Sequence, residues 1–458
     1  MTSGSDYATG YLIYSGLVRF KPGTQEIIGD LAEKWEVAPD GLRYSFWLRK
    51  GVQWHKGYGE LTAHDVKYSF ERIMNPDNAS RFYPDFAKVD KIEVEDDYTL
   101  HIHMQEPYPE FMEAALAYRP GFIVNQKAIE ELGEEYSGSP IGTGPYVHEK
   151  WETGIEILLK KNEDYFGEKP HIDEVVLKLV KEETPAEIAL ESGDLNMAYF
   201  EEPEIQRRLI DNPDIATQQV PGPRTMFIVI NINRKPWSDV RVRRALVHAT
   251  DRQKIIDTVM EGMGIPAYTM LNPNMFAHNN EQMYEYDPEK ARELLAEAGY
   301  PDGFDQSFEY VTLGGLDADI AAVLQQDWKA IGINFEIIAI ERAQYQEKRK
   351  AADFDFMSLE SARLQPAQYL GPYLSSDGIP YPNVIGYTNA DQYIFEAMMT
   401  VDDAKRKELY IQAQKQLQED VPCIFLAYPV FVLAHQPDIE GAKIGLLIYN
   451  AMDIRLKD

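Results

Sequence analysis

The chain has 458 residues, 44% of them hydrophobic and 26% charged, with 75 acidic against 45 basic side chains and a net charge of −30. It is long enough for two or more lobes with real cores, and its composition is that of an ordinary globular protein. The acidity repels nucleic-acid phosphates and anionic lipid, so neither is an expected partner, and solubility is its plain meaning.

No run of about 18 apolar residues marks a membrane span. The lone cysteine, Cys423, excludes an internal disulfide and sits in the apolar run Val421–Leu426, where it is expected to be a small buried hydrophobe. Met1–Ser5 has neither the basic nor the apolar region of a signal peptide.

In chain order, Asp6 to Tyr14 is expected as a short helix and Leu17 to Phe20 as a strand. Leu31, Trp35 and Val37 lead into Pro39-Asp40-Gly41 and then the alternating run Tyr44–Arg49. Proline, aspartate and glycine supply the fixed φ, the side-chain cap and the positive φ of a tight turn, so this is a predicted hairpin. Thr62 with Asp65 resembles a capping box, and Val66, Phe70 and Ile73 share one face of the helix that follows. Strands are expected at Ile92–Val94, Thr99–Met104 and Phe122–Val124, with a helix at Phe111–Leu116 between them. The Gly/Pro cluster Pro140–Tyr146 turns the chain sharply. Ile155–Leu159 and Val175–Val180 are predicted buried strands. Met226–Ile232 is a near-continuous apolar strand. Helices capped at Ser238 or Asp239 and at Asp287, and a helix at Ile320–Ile331 stopped by Gly332 before the strand Ile333–Ile337, make a βα pattern. Lys405–Gln418 is the last predicted helix, ahead of the Cys423 strand.

No catalytic constellation stands out. Gly142-Thr143-Gly144-Pro145 lacks the third glycine of a dinucleotide loop, and Pro145 removes a donor, so it is a structural turn. His101 and His103 share a strand face and could grip a metal, although a solvated face is the commoner meaning of such a pair. No catalytic residue, metal ligand or cofactor is expected.

Several ordered blocks resemble the family 5 extracellular solute-binding proteins of ABC importers, which take up peptides, nickel chelates and some sugars. They are Gly16–Val18, Asp30–Trp35, Asp40–Leu42, Leu48–Val52, Thr62–Val66, Ile141–Tyr146, Asn162–Gly167, Asn231–Asn233, Lys235–Arg243, Tyr286–Ala291 and Leu294–Tyr300. The resemblance covers nearly the whole chain, although the family's opening strand, which ends near Leu-Asp-Pro, has no counterpart. It implies an α/β, two-lobe periplasmic-binding-protein-like fold (type II, cluster C) with an extra subdomain on the first lobe. Lobe I would comprise 1–14, 142–231 and 431–458, the subdomain 15–141, and lobe II 232–430. It also implies a monomer outside the cytoplasm, periplasmic or extracellular and in some members lipid-anchored. Such a protein hands a small-molecule or peptide ligand to a membrane permease.

The resemblance also places the ligand residues. In the peptide-binding branch an Asp before a Pro in lobe II holds the ligand's amine. That position falls on Gln365 in Arg363-Leu364-Gln365-Pro366, which argues against strict recognition of a free amine unless Glu360 or Asp377 substitutes. Tyr118-Arg119-Pro120 resembles the cleft segment of the nickel-chelate branch, with Arg81 on a second cleft arginine and Tyr7 on a cleft methionine. Arginine forks suit carboxylates, so Arg81 and Arg119 would hold the ligand's acid groups. The branch's metal-ligating His falls in Gly378–Asn383, which has none. Tyr369, Tyr373 and Tyr381 cluster nearby, and stacking aromatics leave an oligosaccharide as the alternative ligand. The expected ligand-contacting set is Tyr7, Arg81, Tyr118, Arg119, Arg363, Gln365, Tyr369 and Tyr381.

Overall fold

The computed structural model describes residues 4–443 and 453–457, with side chains from Thr9 onward. Helix α1 (Gly4–Ile13) opens the chain. The predicted hairpin forms as β1 (Ala32–Val37) and β2 (Arg43–Leu48), paired antiparallel around a Gly41 at φ +69°. Helix α2 (Ala63–Met74) follows, and the Asp65 carboxylate accepts from the Thr62 amide at 2.8 Å, as its capping box requires. Strands β3 (Val89–Asp96) and β4 (Thr99–Met104) complete a four-stranded sheet in the order β1-β2-β4-β3. Phe46, Leu48, Val66, Phe70, Ile92, Leu100 and Ile102 share its core.

The helix expected at Phe111–Leu116 forms, wound as a π-turn over Met112–Leu116. The expected strand at Phe122–Val124 fails: the segment is extended without a strand ladder, the Ile123 and Val124 amides bonding to Ser15 O and Ser69 Oγ instead.

A second sheet, β5 (Tyr146–Glu152), β6 (Glu156–Lys161) and β7 (Glu174–Lys178), is antiparallel throughout. Its strands were expected to be buried. Only one face is: Ile157, Val175 and Leu177 pack inward, while Ile155, Val176, Leu179 and Val180 are exposed. A run of apolar residues is therefore an alternating strand here, whose outer face meets solvent.

The main sheet joins distant parts of the chain. Among the described residues it contains β8 (Met197–Phe200), β9 (Ala216–Pro221), β10 (Arg224–Ile230), β11 (Gly264–Pro266), β12 (Ser307–Thr312), β13 (Asn334–Ala339), β14 (Phe356–Ala362) and β15 (Cys423–His435). Helices α3 (Val240–His248), α4 (Pro288–Glu297), α5 (Leu316–Lys329), α6 (Pro366–Leu374) and α7 (Asp403–Asp420) cover it. The order β8-β15-β10-β14-β12-β13 mixes parallel pairs (β12 with β13 and β14) with antiparallel ones.

Strand β10 shows why its sequence is apolar at every position from Met226 to Ile230. Ile228 and Ile230 face one core with Trp237, Trp328 and Phe356, whereas Phe227 and Val229 face the other with Met357, Tyr369 and Tyr410. Side chains alternate across a strand, so a sheet covered on both faces needs both sets apolar. Cys423 is buried in the second core, where the apolar surroundings push its thiol well above the ordinary value.

The 13-residue β15 changes partners along its length. Cys423–Ala427 pairs with β10, and Val430–His435 pairs with β9 and β8. The crossing from one set of pairings to the other falls at Tyr428-Pro429-Val430 on β15 and at Pro221-Gly222-Pro223 between β9 and β10.

Candidate functional site

His55 ties the segment that follows the β1–β2 hairpin to the Gly142–Gly144 turn. Its backbone N–H donates to Gly142 O at 2.9 Å, its Nδ1 accepts from the Gly142 amide at 3.3 Å, and its Nε2 lies 3.0 Å from Gly144 O. These contacts place the imidazole proton on Nε2. Burial lowers its pKa to about 4. A Cβ at Gly142 would lie 1.9 Å from Ile13 O, so the Gly-Thr-Gly segment is glycine-rich for close backbone approach, as a turn and not a phosphate cradle.

From this frame the chain returns through the π-turn to Tyr118 and Arg119. The tight turn at Arg119–Gly121 requires Gly121, whose added Cβ would lie 2.0 Å from Leu116 O. Three arginines lie near enough to Tyr118 to act on its hydroxyl electrostatically. Burial raises the Tyr118 hydroxyl pKa, and Arg119, Arg81 and Arg363 each pull it back down, Arg119 also through a hydrogen bond. The Arg119 guanidinium lies 5.3 Å from the Tyr118 ring centre, and that of Arg81 lies 4.8 Å from Phe82. Arg363 follows directly on the end of β14. It donates to Ala362 O at 2.8 Å and lies 6.0 Å from the Tyr373 ring. Four of the expected residues, Arg81, Tyr118, Arg119 and Arg363, therefore share one electrostatic neighbourhood, contributed by three segments of the chain.

The aromatic side of this cluster continues through a residue that sequence reasoning passed over. Arg349 is buried, with its guanidinium 5.6 Å from Tyr373 and 4.8 Å from Tyr381. It lies in Glu347-Lys348-Arg349-Lys350, which has the pattern of a solvated helix end, so its burial has no local signal. Tyr381 is exposed, and its hydroxyl donates to Gln346 Oε1 at 3.0 Å.

Tyr369 does not join the site. It is fully buried, and its hydroxyl donates to Pro223 O at 2.9 Å and to Ser361 O. Its position on α6 turns the ring inward, into the core it shares with Phe227 and Tyr410. Without an exposed ring it offers no stacking platform, which removes a principal support for a sugar ligand. The Tyr7 side chain lies outside the described residues.

Gln365 is buried as the N-cap of α6, with no cap hydrogen bond from its side chain. The helix end is satisfied from elsewhere. Gln368 Oε1 accepts from the Leu364 amide at 3.3 Å, and Glu110 Oε2 accepts from the Ala367 amide at 3.2 Å. Glu110 was not foreseen either, being a single carboxylate in the loop Pro107-Tyr108-Pro109-Glu110.

Of the two acids expected to stand in for the missing amine partner, Glu360 lies on β14, three residues before Arg363. Arg224 Nη1 is 3.6 Å from it and 2.7 Å from Glu201. Asp317, at the start of α5, is pushed up to about 7 by burial and by Glu360. Asp377 lines a separate cavity between the N-terminal and C-terminal segments. His101 and His103 bond individually to Glu95 and Glu93, at 3.0 and 3.1 Å, and no cluster of metal-binding groups occurs among the described residues.

Comparison with known proteins places this geometry among binding proteins. A family model described as bacterial extracellular solute-binding proteins, family 5 Middle, matches residues 26–381. A dipeptide-binding protein of Escherichia coli (strain K12) is 30% identical over 478 residues, spanning 96% of this chain and 88% of that protein. The solved structure of DppA from Helicobacter pylori, in complex with the peptide STSA, superposes with a TM-score of 0.82 at 28% identity, covering 100% of this chain and 95% of that one. NikZ from Campylobacter jejuni, in complex with Ni(L-His), gives a TM-score of 0.80 at 25% identity over 98% and 93% of the two chains.

Proposed function

As the chain belongs to the bacterial extracellular solute-binding proteins of family 5, we propose that it captures a carboxylate-bearing small solute between two lobes and delivers it to the permease of an ABC importer. It is a binding protein and not an enzyme, with the two-lobe type II fold of its relatives. Its family works outside the cytoplasm, and among the described residues no helix is long and apolar enough to cross a membrane.

The observation that carries the ligand reading is the electrostatic pull that Arg81, Arg119 and Arg363 all exert on Tyr118. Guanidinium forks suit carboxylates, which they bind bidentately; Arg119 is partly buried, and Arg81 and Arg363 are exposed. Peptides and metal–histidine chelates, the ligands named for the two similar structures, both carry carboxylates. Glu360 and Asp317 supply acid groups near the same strand end for a peptide amine, which favours a short peptide over a chelate. Tyr7 and Gln365 remain part of the proposed contact set, and Arg349 joins it through Tyr373.

For the lobes, we propose the expected division with one shift. Strand β10 pairs with β14, so lobe II begins at the Gly222 crossing and not at residue 232. Lobe I then holds 1–14, 142 to the crossing, and the chain from about 430, with 15–141 as its subdomain. Closure is a bend at the two crossings. The molecule acts as a monomer, with a lipid anchor or soluble export as alternative tethers.

A thermal-shift panel of dipeptides, glutathione, nickel with histidine, and neutral sugars tests this reading. A ligand at about 100 times its Kd stabilises by about 2.7 kcal/mol, a readily measured rise in midpoint. The proposal expects a rise with at least one carboxylate ligand; a response to neutral sugars alone would overturn it.

A further inference from the structure

Glu110 sits where two bodies of the chain touch away from the arginine cluster. It belongs to the N-terminal segment, just before the π-turn, yet both its hydrogen bonds go to the C-terminal half. Oε2 accepts from the Ala367 amide at the start of α6, and Oε1 accepts from the Tyr410 hydroxyl on α7 at 2.7 Å. Its side chain is buried. The helix end it caps is the one whose own N-cap residue, Gln365, makes no side-chain cap bond. A carboxylate at a helix N-terminus satisfies an orphan amide and complements the helix dipole.

The surrounding contact is thin and incompletely filled. The hairpin turn at Gly41 rests against Val401, where an added Cβ would come within 2.9 Å. Beside Glu110 lies a cavity of about 330 Å³, lined by Tyr108, Ala367, Asp377, Met398 and Arg406 among others. Such an interface can separate without tearing a packed core.

We propose that Glu110 is the latch of the closed cleft, a positioning residue that caps α6 and bonds Tyr410 only when the subdomain and lobe II meet. It holds the ligand-bearing end of β14 and the start of α6 against the segment that carries Arg119, without touching the ligand. The inference rests on the two-lobe closing motion proposed above.

A pH dependence follows from the groups around it. Burial pushes the Glu110 carboxyl up to about 7, with Tyr410, Arg406 and the Ala367 amide opposing and Glu113 adding to the rise. The charged or titratable groups that share the contact are Arg406, Asp403 and Tyr410 on α7, Asp377 after α6, Tyr44 on β2, Tyr108 and Glu113 on its own segment, and Asp85 and Lys88 beside the cavity. In the open state Glu110 returns to the ordinary range near 4.5. Closing therefore takes up a proton between those values, and the closing equilibrium weakens as pH rises through that window, by at most about tenfold per pH unit, and levels off above 7.

Small-angle X-ray scattering of the ligand-free protein tests the latch. Glu110→Ala is expected to raise the radius of gyration at pH 6 relative to the parent, and Tyr410→Phe to do so partly. Glu110→Gln, which stays neutral and can still accept from Ala367, is expected to remain compact and to lose most of the expansion the parent shows between pH 5.5 and 8. Thermal melts identify any variant that fails to fold, and Tyr410→Phe then carries the test. Equal radii for the parent, Glu110→Ala and Tyr410→Phe would overturn the latch. A ligand panel without a binder would overturn the transport reading, and the scattering comparison stands apart from it because it uses no ligand.

Discussion

Arg119 and Tyr369 were singled out together as ligand residues, and they now make opposite predictions. Arg119 lies at the centre of the arginine cluster, in hydrogen-bond contact with Tyr118. Removing one charge-assisted partner of a carboxylate costs about 1.5–3 kcal/mol. Arg119→Ala is therefore expected to weaken the responding ligand by roughly ten- to a hundredfold in calorimetric titration, with little change in the unfolding midpoint of the free protein. Tyr369→Phe is expected to do the reverse. It strips a donor from Pro223 O and Ser361 O, both buried acceptors, at a cost of about 1–3 kcal/mol in denaturant unfolding, and leaves ligand affinity near the parent value. A large loss of affinity in Tyr369→Phe would return that residue to the site. The difference between the two was not legible in the sequence. Both stood at positions implied by a family resemblance, and only the packing of α6 decides which face Tyr369 takes.

At the scale of elements, the hairpin, the capping box of α2 and the helices stopped by Gly299 and Gly332 were legible because each is fixed by local chemistry: a preset φ, a short-range cap or a positive-φ stop. What failed was where burial is decided at a distance. The strand at Val175–Val180 looks buried by composition, yet the sheet it joins is covered on one face only. Arg349 and Glu110 look solvated, yet each is carried into an interface by elements remote in sequence. The tie between His55 and the Gly142–Gly144 turn belongs to this scale and gives a pH prediction. The native imidazole protonates only near pH 4, whereas the unfolded chain does so near 6.5. The unfolded state thus binds the extra proton first as pH falls. The stability from this site is fully present above about 6.5 and is lost progressively towards 4, by up to about 3 kcal/mol. Thermal midpoints between pH 7.5 and 4.5 should fall less steeply in His55→Gln than in the parent; parallel curves would show that the tie does not carry the dependence. Gly142→Ala, which sets a Cβ against Ile13 O, should destabilise by at least about 2 kcal/mol at any pH in the same assay.

The whole molecule is organised by β15, a single strand that pairs with β10 at one end and with β8 and β9 at the other, beside the crossing at Gly222. Against a net charge of −30, Arg81, Arg119 and Arg363 set a local positive neighbourhood at Tyr118. The overall charge steers anions away, so selectivity for an acidic solute has to come from this local cluster and from closure around it. The family and the fold class could be read from ordered sequence blocks; the arginine convergence could be expected only in part, because Arg363 reaches it from a distant strand. The most direct test compares the dipeptide or metal–histidine complex that responds best with its carboxyl-amidated analogue, by isothermal titration against the parent protein and Arg119→Ala. Amidation should weaken binding to the parent by tenfold or more and should matter much less in Arg119→Ala, because the partner of the carboxylate is gone. Equal affinities of the parent for the acid and its amide would contradict the account.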